Sequence, residues 1–142
     1  MAVNVGQRNV KDNPTNNLFY AVDATLDLLC HTLRNCKNPH IFLPEYKDTV
    51  TDRITGLAED IYMNAFSANK IRVRENVPSD WEEREAKQKT AILKCDEMVA
   101  QINVAKRVLH LRKGKTEYWV RKITYTKSQL TKWHESDLRR YK

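Results

Sequence analysis

Glycine is nearly missing from this 142-residue chain, which has three glycines and four prolines. Gly6, Gly56 and Gly114 are too far apart to build a phosphate-cradling loop such as G-x-x-x-x-G-K-[ST] or G-x-G-x-x-G. So few turn formers also disfavour a fold of many short strands and favour a few long helices. No apolar run approaches the roughly 18 residues of a membrane span. The opening MAVNVGQRNVKDNPTNN lacks the charged start and apolar middle of a signal peptide, so the expected location is the cytoplasm.

Cysteine is equally uninformative as chemistry. Cys30, Cys36 and Cys95 are odd in number and form no C-x-x-C pair, so neither a disulfide framework nor a redox pair is expected. Together with His31 and His40 they could offer soft metal ligands, but zinc sites use closely paired spacings and Cys30 and Cys36 are six apart. None of the four histidines has a glutamate three residues before it, which removes the E-x-x-H signature of di-iron bundles. No nucleophile signature such as G-x-S-x-G occurs either. The expectation is no catalytic residue, no metal and no cofactor.

What the chain does have is helical periodicity. Phe19, Val22, Leu26, Leu29 and Leu33 recur at three- and four-residue spacing and predict a helix over about 17–36, after a polar arm over 1–16. KNPHIFLP stops it, and Pro44 opens a second helix to about 70 with Val50, Ile54, Leu57, Ala58, Ile61, Tyr62, Ala65 and Ala68 on one face. Pro78 breaks the pattern, and Ser79 or Asp80 is the expected cap of a third helix over about 80–112. Its seam is Ala91, Cys95, Met98, Ile102, Ala105 and Leu109, and Gly114 is the expected left-handed stop. A fourth helix over about 116–140 carries Trp119, Ile123, Thr126, Leu130 and Trp133 within about 80° of one another. Four helices on short connections predict an all-α antiparallel four-helix bundle with a flexible N-terminal arm. The next architecture is a shorter bundle whose first helix packs on a partner chain.

Charge is distributed unevenly. Residues 106–142 hold twelve basic against three acidic residues, a net of +9, while residues 1–105 carry a net of −2. On the fourth helix Arg121, Lys132 and Arg139 share one row, Lys122 and Arg140 share a second about 100° around, and Tyr118 and Tyr125 fall between them. Such cations can neutralise phosphates, and tyrosines among them can stack on exposed bases. The candidate nucleic-acid contacts are Lys106, Arg107, Arg112, Lys113, Lys115, Arg121, Lys122, Lys127, Lys132, Arg139 and Arg140, with Tyr118 and Tyr125 for stacking. Any bundle needs a charged outer face, but a merely solvated one more often mixes both signs. Docking of an acidic protein is the alternative. In the closing KWHESDLRRYK, His134, Glu135 and Asp137 project in different directions, so no acid/base or metal triad is expected there. His134 reads as an ordinary helix-flank residue without converging partners.

The run PEYKDTVTDRITGLAEDIYMNAFSAN, with Pro44, Arg53, Ile54, Leu57, Ile61 and Ala65, resembles the second helix of the accessory variability determinants of diversity-generating retroelements. Arg84, Gln88 and the closing Trp133, Ser136 and Asp137 extend the resemblance over residues 44–142. The related intervening-sequence proteins encoded within large ribosomal RNA genes are similar too. Lys132 stands where that family often has a glycine before the closing tryptophan. The resemblance implies a basic homo-oligomeric bundle, with a pentameric ring as one candidate assembly, that binds a reverse transcriptase and its template RNA.

Overall fold

The computed structural model describes residues 14–142, with side chains from Tyr20 onward. Among the described residues the fold is the all-α bundle that the periodicity predicts. Its helices are α1 (Pro14–Cys36), α2 (Asp52–Lys70), α3 (Pro78–Leu109) and α4 (Lys113–Tyr141). A 3₁₀ turn (Pro44–Tyr46) and a π turn (Lys47–Thr51) lead into α2, so the helical run expected from Pro44 has an irregular start. The arm expected over 1–16 lies outside the described residues through position 13, and the chain is helical from Pro14.

Each of α1 and α3 packs against both α2 and α4, so the helices follow one another around a square. Buried alanines and large aromatics share one core. Ala58 and Ala65 of α2 and Ala91 and Ala105 of α3 let backbones approach, and Trp119 and Trp133 of α4 supply the volume. The predicted seams of α3 and α4 are buried throughout. On α2 all the predicted face is buried except Leu57 and Tyr62, which are half-buried.

The first helix corrects the sequence expectation. Leu26 and Leu33 are 39% and 46% exposed, and Val22 and Leu29 are half-buried at the margin. Phe19 lies outside the described side chains. The residues turned inward are Ala21, Ala24, Thr25, Leu28 and Thr32. Neighbouring bulk explains the rotation, because Trp119 already fills the space against α1 and Phe42 of the connector meets it edge-on at 6.1 Å. Small side chains are then required, and the threonine hydroxyls find partners, one within α1 and one on α4. Thr25 donates to the Val22 carbonyl at 2.6 Å, and Thr32 accepts from Trp119 Nε1 at 3.3 Å.

Two helix ends also differ from expectation. The third helix stops at His110, which takes the left-handed conformation (φ 56°), and Leu111 N–H reaches back to the Lys106 carbonyl at 3.2 Å. That is the Schellman closure, with the apolar Leu111 tucked into the core. Gly114 has no positive φ and lies in the first turn of α4, so it is not the stop. At the other end Pro78 is the first residue of α3 and no side chain caps it. Asp80 instead accepts three bonds from Arg74, one from its backbone N–H and two from its guanidinium.

Candidate nucleic-acid interface

The geometry of α4 sorts the candidate cations. Lys122 bonds Asp27 of α1 at 2.6 Å and Lys127 bonds Asp96 of α3 at 2.8 Å, so these two lysines clamp α4 to its neighbours. Lys113 lies 4.0 Å from Glu117 one turn on. Lys106, Arg107, Arg112, Lys115, Arg121, Lys132, Arg139 and Arg140 are exposed and have no carboxylate partner among the described residues. Like charges left in this way repel one another, and an anion laid over them is attracted to them all.

The eleven candidate cations do not form one patch. Lys106 and Arg107 at the end of α3 join Arg112, Lys113 and Lys115 around the α3–α4 turn. There His40, His110, Arg112 and Lys115 line a cleft of about 690 Å³ with no carboxylate among its walls. Arg121, Lys132 and Arg139 continue along the outward side of α4, and Arg140 closes the far end. At 1.5 Å rise per residue, the span from Lys113 to Arg140 is about 40 Å.

The two tyrosines lie along this path, with Tyr118 49% and Tyr125 54% exposed. Tyr118 is positioned by contacts. The His31 ring meets it edge-on at 5.4 Å, and the Arg121 and Lys122 cations approach its ring at 5.8 and 5.7 Å. Burial holds the His31 pKa below the ordinary imidazole value, and Lys122, Arg34 and Lys115 push the same way against Asp27. Asn35 Nδ2 meets the His31 Nε2 at 2.9 Å.

A second polar cluster, at the opposite end of the bundle, escaped the sequence reading. Arg84 donates through Nε to Asp137 Oδ2 at 2.8 Å, and Gln88 Nε2 donates to the same oxygen at 2.7 Å. Arg84 also reaches the Ile71 carbonyl at 3.0 Å, and its guanidinium lies 5.5 Å from the Trp133 ring. Both charged side chains are under one-tenth exposed. With Arg84 and Gln88 on α3 bonded to one carboxylate oxygen on α4, this cluster pins α3 to α4. Beside it His134 meets Glu85 Oε2 at 2.9 Å and stacks on Trp81 with ring centroids 6.3 Å apart. His134 therefore has partners on α3, which corrects the reading of it as a partnerless flank residue. Glu135 points away to solvent. The available signal was register, since Arg84 and Gln88 extend the α3 seam backwards and Asp137 extends the α4 stripe.

Among the described residues no three His, Cys, Asp or Glu side chains converge as a metal-binding set, and no helix is long and apolar enough to cross a membrane. Burial pushes the Cys36 and Cys95 thiols up to about 12, far from the range of a reactive thiolate. The fold and the surface together define an all-α bundle with a cation-rich last helix. No protein-family model, curated protein or solved structure matches the chain.

Proposed function

We propose that this chain is a non-enzymatic nucleic-acid-binding accessory protein of the cytoplasm. In this reading it acts as a homo-oligomer beside a reverse transcriptase of a diversity-generating retroelement, holding template RNA or its cDNA. The observation that carries the nucleic-acid reading is the run of exposed, carboxylate-free cations from the end of α3 along α4. Such a run positions phosphates without reading sequence. The link to a reverse transcriptase rests on the resemblance of residues 44–142.

Self-association draws support from apolar side chains left outside the core. Leu26 and Leu33 of α1 and Met63 and Phe66 of α2 are exposed, and Leu93, Val104 and Val108 are exposed on α3. Exposed apolar side chains on three different helices suit a heterologous contact, which closes into a ring when its rotation permits.

The test is purification without nuclease followed by a mobility shift with labelled RNA and DNA at low salt. A raised 260 to 280 nm absorbance ratio and a shift of either probe support the proposal. Protein free of nucleic acid that shifts neither probe would reject it in favour of an adaptor docking an acidic protein.

A further inference from the structure

We infer that the α4 surface is built for single-stranded nucleic acid and that Tyr118 and Tyr125 are its base-stacking platforms. The inference rests on the nucleic-acid reading above and adds the strand state of the partner and the residues that select it.

The charge comes as a line. Arg121, Lys132 and Arg139 project within about 20° of one another on the outward side of α4. Lys122 on the α1 flank and Lys127 on the α3 flank are held by Asp27 and Asp96. A duplex presents two phosphate strands across a major groove about 12 Å wide, and one row of cations meets only one of them. A single strand can lay all its contacted phosphates along one row. The carboxylates nearest the row on α4, Glu117 and Glu135, project about 50° towards α3, and on the tyrosine side Asp27 of α1 is engaged by Lys122.

The tyrosines supply the second half of the argument. Tyr118 and Tyr125 are seven residues apart, which places them on the same side of α4 and about 10 Å apart along it. That separation is about three base steps at 3.4 Å. Each is about half exposed, although α4 buries its tryptophans almost completely. An exposed aromatic ring gains little from water, and bases paired inside a duplex offer it no face. A splayed base does, and stacking on a ring is indifferent to sequence. The Arg121 and Lys122 cations lie over the Tyr118 ring at 5.8 and 5.7 Å, so a base that stacks there displaces them towards its own phosphate. His31 packs against the Tyr118 ring in a T-shaped contact at 5.4 Å and holds the platform in place.

The experiment uses the full chain and a fluorescein-labelled 20-nucleotide DNA strand, alone and annealed to its complement, read by anisotropy at low salt. The single strand is expected to bind about tenfold or more tighter than the duplex. Tyr118→Ala with Tyr125→Ala lowers single-strand affinity until that preference is gone, whereas the paired Tyr→Phe changes keep it, since stacking needs the ring and not the hydroxyl. Both residues are exposed, so circular dichroism of the variants should match the parent. Equal affinity for the two probes, or an undiminished preference in the double alanine variant, overturns the inference while leaving the nucleic-acid reading standing. Failure to bind either DNA probe overturns the inference, and overturns the nucleic-acid reading as well when labelled RNA is not shifted either.

Discussion

Asp137 is the residue on which the far end of the bundle turns. Its carboxylate accepts from Arg84 and Gln88 in the core, so Asp137→Ala leaves a buried guanidinium without its counter-charge. A loss of about 3 kcal/mol in urea unfolding is expected. Glu85 behaves differently because its partner is an imidazole. The bond to His134 holds the Glu85 carboxyl below the ordinary carboxylate value, against the opposing effect of burial. A carboxyl lowered in the fold adds stability that is present above about pH 4 and lost as pH falls through the folded value. Melting temperature should therefore drop more steeply below pH 4 in the parent than in Glu85→Gln. Equal slopes would show that the bond does not operate in solution. Neither contact was legible from composition, since polar residues in core register are normally discounted. Register was the one clue, and it needs a partner helix before it means anything.

At the scale of elements, α2, α3 and α4 were legible because each carries a continuous apolar stripe that a 3.6-residue period exposes. The stripe on α1 misled because the largest apolar residues are not the buried ones. Trp119 and Phe42 occupy the space there, and alanine and threonine fit beneath them. The α3–α4 turn misled for a related reason, as glycine is the usual left-handed stop and here histidine takes that place. Substitution separates the two assignments. His110→Gly relieves a left-handed side chain and should stabilise by up to about 1 kcal/mol. Gly114→Ala should also stabilise, by about 0.5 kcal/mol, because an added Cβ meets nothing within 4 Å and the backbone is helical. A destabilised Gly114→Ala would restore glycine as the stop. Both values are read from denaturant midpoints at constant m.

The whole molecule joins a bundle of ordinary core with a surface of strongly unequal charge. The surplus of cations over 106–142 was visible in the sequence, and helical projection placed the outer row. What projection could not give is which lysines are already engaged, and Lys122 and Lys127 prove to be clamps between helices. The exposed apolar faces make their own prediction about assembly. Leu33→Glu on α1 and Leu93→Glu on α3 should each lower the mass measured by light scattering at micromolar concentration, with helix content unchanged. A parent that is already monomeric there would remove self-association from the account.

The central claim is that α4 holds phosphates through its outward row, and salt reads this most directly. The logarithm of affinity for a labelled single strand should fall linearly with the logarithm of salt concentration, at about 0.7 for each phosphate neutralised. Reversal of Arg121, Lys132 and Arg139 to glutamate should weaken binding at every salt concentration and reduce that slope by about 2. A triple variant with parental affinity and slope, or parental binding indifferent to salt, would contradict the claim.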